Sequence, residues 1–236
     1  MKNQYFGDIN DFLKYGLIRS ILRAGKFRML VAWMLTEDDN NKDGNFRDYL
    51  LKPKWRGCDS ELYDGIQILL KGDDRKVSLL EQANLLPGAT YYSRKLTDDT
   101  LDRSSWEQEL MARAHDSDIV FLDPDNGIQV PSKPYGRKNS SKYLYWREVI
   151  GLWKQGKSIL IYQHFRREER DRFIHRILGE LRDHAMGAFV EAFSTPRVVF
   201  FLVLQPEHQK YYHSIVADVA DNWGGHVSVL PDRAPP

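Results

Sequence analysis
A chain of 236 residues, 42% of them hydrophobic and 28% charged, is long enough to bury a substantial core and has the composition of a soluble globular domain. No apolar run approaches the ~18 residues of a membrane span, and Cys58, the sole cysteine, excludes an internal disulfide and any zinc site built from several cysteines. A net charge of +1 offers no strong global attraction to nucleic acid, so such binding would need a local patch.

The first eight residues, Met1 to Asp8, lack an apolar stretch followed by a small-residue cleavage site, so no secretory signal is indicated and the cytoplasm is the expected location. Asp8 to Arg23 has helical spacing of Phe12, Leu13, Leu17, Ile18, Ile21 and Leu22, with Gly25 near its end. Met29 to Leu35 reads as a buried strand that runs into a polar, acidic segment from Thr36 to Gly44. Phe46 to Leu51 suits a short helical turn, Glu61 to Leu70 a helix, and Ser78 to Asn84 either a short helix or a strand. Ala89 to Ser93 reads as a strand and Trp106 to Ala114 as a helix.

Ile119 to Leu122 is an apolar strand that stops in Asp123-Pro124-Asp125-Asn126-Gly127. In an open α/β sheet, ligands bind beyond the carboxyl ends of strands, so this cluster is the leading candidate for a site. Proline fixes its own φ and Gly127 permits one that other residues avoid, which holds such a loop in one shape. The basic segment from Lys133 to Lys142 reads as a mobile loop beside it, with Asn139-Ser140-Ser141 as the cap of a helix over Tyr143 to Lys154. Ser158 to Tyr162 is a further strand, with His164 just past its end. Arg167 to His184 is an amphipathic helix whose dense arginines are interrupted by acids, as on a solvated face. Gly187 to Phe193 and Arg197 to Leu204 read as paired strands, His208 to Asn222 as a helix and His226 to Leu230 as a last strand. This alternation predicts one α/β domain, Rossmann-like, with a mostly parallel sheet and an antiparallel edge.

Four pieces in collinear order carry a resemblance. Gly7-Asp8-Ile9-Asn10-Asp11-Phe12-Leu13-Lys14-Tyr15, Leu86-Pro87-Gly88 continuing to Arg94, Asp123-Pro124-Asp125-Asn126, and Ile159 to Tyr162 followed by Arg166 together resemble ribosomal-RNA adenine-N6 methyltransferases of the Asp-Pro-Pro-Tyr class. The resemblance implies a methyltransferase sheet, S-adenosylmethionine as cofactor and nucleic acid as partner. Gly7, Asp8, Asp11, Lys14 and Thr36 would then serve the cofactor, and Asp123 would accept a hydrogen bond from the target amine, with Asp125, Asn126 and His164 beside it. Asn126 stands where the family carries its aromatic platform, leaving Tyr135, Tyr143, Tyr145 or Trp146 to stack on a base. The family's glycine-rich loop is replaced by the acidic segment after the first strand.

The same carboxylates admit another chemistry. Asp38, Asp39, Asp43, Asp123 and Asp125, with His164, could hold Mg²⁺ or Mn²⁺ in a phosphodiester or nucleotide hydrolase. A non-catalytic binding protein on this fold is the third class.

Overall fold
The computed structural model describes residues 1–39, 44–72 and 74–230. Helix α1 (Ile9–Gly25) is opened by Asp8, whose carboxylate accepts from the backbone N–H groups of Asn10 and Asp11, and it leads to β1 (Met29–Ala32). Two 3-10 turns (Asp48–Leu51 and Pro53–Gly57) precede α2 (Ser60–Leu69), α3 (Val77–Gln82) and β2 (Ala89–Tyr92). Helix α4 (Thr100–Arg113) and β3 (Ile119–Leu122) follow, then a small parallel ladder of β4 (Gly127–Ile128) with β5 (Tyr143–Leu144). After α5 (Trp146–Lys154) come β6 (Ser158–His164), α6 (Arg170–His184), the hairpin of β7 (Phe189–Ser194) and β8 (Val198–Leu204), α7 (Tyr212–Trp223) and β9 (Ser228–Leu230).

Among the described residues, seven strands form the main sheet in the order β2-β1-β3-β6-β8-β7-β9. The first four are parallel, β8 is antiparallel to β6, and β7 returns to the direction of β6, so only β8 and β9 oppose the rest. This is the Rossmann-like α/β sheet with an antiparallel edge that the alternation of elements predicts.

Both faces are covered, and the period of two sorts the strand residues between them. Val31, Phe121, Leu160 and Phe200 pack with Phe12, Leu62, Leu80 and Trp223 under α1, α2, α3 and α7. Ala32, Val120, Ile161 and Phe201 pack with Trp106, Leu152 and Phe173 under α4, α5 and α6. Among the described residues no helix is long and apolar enough to cross a membrane.

Several boundaries differ from expectation for identifiable reasons. Strand β1 ends at Ala32 rather than at 35, because Met34 turns to a positive φ of 47° and leaves the ladder. Helix α4 begins six residues early because Asp99 caps it through Leu101 and Asp102. The 78–84 segment resolves as helix α3. Tyr143 and Leu144 are strand, not helix, and α5 is capped by Tyr145 with Glu148 rather than by Asn139-Ser140-Ser141. Those three residues instead form a turn fixed by the Asp98 carboxylate, which accepts from the N–H groups of Asn139 and Ser141 at 2.6 and 2.9 Å.

Candidate functional site
The chain passes from β1 to β2 on one side and to β3 on the other, so the order of the sheet reverses between β1 and β3. The carboxyl ends of those two strands diverge into a crevice, the position where open α/β sheets hold ligands. A cavity of about 370 Å³ lies there. It is lined by Asp8, Asp11 and Lys14 from α1, by Asp123 to Asn126 after β3, and by Tyr162 and His164 at the end of β6.

Strand parity explains who meets whom. Ile119 and Phe121 face α1, and continuing the alternation two residues points Asp123 to the same side. There the Lys14 ammonium donates to Asp123 Oδ2 at 2.7 Å and to Asp11 Oδ1 at 2.8 Å, all three side chains being buried. Tyr15 donates its hydroxyl to Asp11 Oδ2 at 3.0 Å. Asp125 is held separately. Its Oδ1 lies 2.7 Å from the Met1 α-ammonium and its Oδ2 accepts from the Thr36 hydroxyl at 2.8 Å. The same ammonium donates to the backbone oxygens of Asp123 and Met34, at 2.9 and 3.2 Å.

The loop's shape is fixed from β6. Gln163, fully buried, accepts from the Ile128 N–H at 2.7 Å and donates to the carbonyls of Asn126 and His164 at 3.2 and 2.7 Å. Gly127 has a φ of +96°, and a Cβ there would lie 2.2 Å from Gln163 Oε1, so both its conformation and its lack of a side chain are required.

Burial governs the titration of the cluster. Desolvation and the neighbouring Asp11 push the Asp8 carboxyl up to about 7. Burial also raises Asp123, against the opposing pull of Lys14. For Asp125, burial works upward but the Met1 ammonium and the Thr36 hydroxyl prevail, holding its carboxyl below the ordinary range. Lys14 stays above its ordinary value because Asp11 and Asp123 outweigh its own desolvation. His164 is pushed down to about 4 by burial and by Lys14, so its imidazole is neutral at physiological pH; its Nε2 lies 3.3 Å from the Tyr162 hydroxyl. The lining therefore carries four carboxyl groups, Asp8, Asp11, Asp123 and Asp125, against Lys14, the Met1 ammonium and, at the mouth, Arg197.

The structure brings Asp8, Asp11, Lys14, Asp123, Asp125, Asn126 and His164 to one cavity. Thr36 stands behind Asp125. Gly7 does not line the cavity. It makes the turn before α1 with a φ of +80°, its N–H donating to Asp11 Oδ2 at 3.2 Å. Asp38 accepts from the Gln4 N–H and Asp39 pairs with Lys2, both outside the cavity, while Asp43 lies outside the described residues. Among the described residues no three acidic, histidine or cysteine side chains come together as a metal would need.

None of the four aromatic candidates lines the cavity. Tyr135 and Tyr145 pack edge to face beside Arg103, and Trp146 lies against His184. The cavity mouth instead carries Phe46, half exposed, with the Arg197 guanidinium 3.7 Å above its ring. The segment from Lys133 to Lys142, expected as a mobile loop at the site, is fastened elsewhere by Asp98, by Arg103 and by the Tyr145 hydroxyl. Sequence reasoning also missed Gln163 and Tyr162. A glutamine inside an otherwise apolar strand was the one visible signal for the former. No protein-family model matches the chain, and no curated protein or solved structure matches it either.

Proposed function
We propose that the protein is an S-adenosylmethionine-dependent methyltransferase acting on an exocyclic amino group of a nucleobase, with adenine N6 as the first candidate. The observation that carries this reading is a carboxylate-rich cavity at the switch point of the sheet, with Asp123 just past the end of β3. A surplus of carboxylate in a desolvated site favours a cationic ligand and opposes an anionic one. A sulfonium cofactor fits that charge. A phosphodiester bound within the same cavity does not, and among the described residues no three acidic, histidine or cysteine side chains come together as a hydrolytic metal would need.

When bound, S-adenosylmethionine would supply an electrophilic methyl group. Asp8, which caps α1, and Asp11 and Lys14 on its first two turns are the residues to hold its amino-acid part. Asp123 has the position to accept an N–H from the target amine, returning electron density to a nitrogen whose lone pair is delocalised into the ring. Lys14 aims that carboxylate and opposes the upward pull of burial on it. His164, neutral and at the rim, can accept the proton that the amine must lose. The Gln163 bracket holds Asp123 to Asn126 still while this happens.

Isothermal calorimetry with S-adenosylmethionine in the presence of a chelator, followed by methyl incorporation into adenine-containing oligonucleotides, tests the proposal. Saturable binding is expected without metal, and Asp123→Asn is expected to lower methyl transfer by ~100-fold or more while leaving the fold intact. Absence of cofactor heat in the wild type, or full activity in Asp123→Asn, overturns it.

A further inference from the structure
Across Arg197 from the cavity lies a second one of about 470 Å³. Its walls come from the start of α1, from Trp55 in the second 3-10 turn, from Arg170 at the start of α6, from the turn joining β7 to β8, and from the segment after α7. Asn10 and Arg197 belong to both cavities, so the two form one cleft with two compartments.

Their chemistry is opposite. The inner compartment is crowded with carboxylates, whereas no acidic side chain lines the outer one. Arg170 and Arg197 stand in its wall and Lys54 next to it; among the described residues none of the three has a carboxylate partner. The outer compartment also presents an aromatic surface. Trp55 and His226 are stacked with ring centroids 3.8 Å apart and planes 22° from parallel, and both are half-buried. Burial and the neighbouring Lys54 push the His226 imidazole below its ordinary range.

We propose that the outer compartment is a strand-binding subsite: a single-stranded nucleic acid lays its phosphates against Arg170, Arg197 and Lys54 and a base against the Trp55–His226 stack. Cations without carboxylate partners beside a partly exposed aromatic pair are the combination that holds single strands without reading their sequence. An acidic peptide would satisfy the cations but leave the stack unused. That a base next to the bound segment would enter the inner compartment rests on the methyltransferase reading; the subsite itself does not.

Fluorescence anisotropy with a short labelled single strand of mixed sequence, in RNA and DNA forms and without cofactor, tests the subsite. Lys54→Glu/Arg170→Glu changes two exposed side chains and is expected to weaken binding at least ~tenfold and to lower the salt slope by about two, one for each lost phosphate contact. Lys54→Arg/Arg170→Lys is expected to retain binding, and Trp55→Leu, checked by denaturation for a native fold, to lose affinity with an unchanged salt slope. No binding by the wild type at low salt, unchanged affinity in the charge-reversed variant, or equal binding of polyglutamate overturns the proposal. Strand binding without cofactor heat in calorimetry would remove the methyltransferase reading and leave the subsite standing. Cofactor heat without strand binding would remove the subsite alone.

Discussion

Asp123 is a carboxylate in a place where a lone charge would cost several kcal/mol, and Lys14 is what makes it tolerable. The pair spans 109 positions of sequence, which is why the acid was legible as a strand-end residue while its partner role was not. Asp125, Asn126 and His164 were legible in the same way, from strand ends, whereas Asp8 and Asp11 were indicated only by the resemblance of the segment from Gly7 to Tyr15 to a family motif. Phe46 and Arg197 were not, because exposed side chains in irregular segments follow no period. The fixed shape of the loop was also foreseeable from Gly127, although its reason was half hidden. The positive φ can be read from the residue type; the contact with Gln163 cannot. Gly127→Ala is expected to cost about 2 kcal/mol or more in urea denaturation, since it adds a strained φ to a steric conflict. Adding Gln163→Ala should recover only the steric part, giving a non-additive cycle.

At the scale of elements, the strands and most helices followed from apolar periodicity, and the departures are places where one side chain overrides it. The segment from Ser140 to Glu148 is the clearest case. Arg103, buried in α4, donates to both oxygens of Glu148 at 2.8 Å and to the carbonyls of Ser140 and Tyr143 at 3.3 and 2.9 Å. Glu148 in turn accepts from the Tyr145 N–H at 2.9 Å. That network pulls 143–144 into register with β4 and postpones α5 to Trp146, against a local pattern that suits a helix throughout. Arg103→Leu should therefore destabilise by ~3–5 kcal/mol, because it strands a buried carboxylate. Replacing both partners with leucine should cost clearly less, and a chemical-denaturation cycle over the four proteins measures the difference.

For the whole molecule, two buried groups of the cavity set opposing slopes of stability with pH. His164 titrates near 4 when folded and near 6.5 when unfolded, so its contribution is complete above the unfolded value and is lost as pH falls from about 6.5 to 4. Asp8 behaves in reverse. Its folded value of about 7 exceeds the ordinary 3.8, so the folded state retains a proton that the unfolded state releases, and stability declines as pH rises across that window. Urea titrations at several pH values should show His164→Asn protecting against acid relative to wild type. Asp8→Asn, which keeps the helix cap, should protect against rising pH. Sequence alone could place both residues near the site but could not give these values, which arise from burial.

The shared wall of the two compartments has a consequence of its own. Arg197 rests on Phe46 at the inner mouth and belongs equally to the outer groove, so an occupant that draws the guanidinium toward one side alters what it offers the other. Thermodynamic reciprocity then requires that whatever factor a bound strand applies to the affinity of the inner ligand, the inner ligand applies to the strand. Because free energy is a state function, order of addition leaves the final complex unchanged, while the rate of reaching it depends on which occupant first draws Arg197.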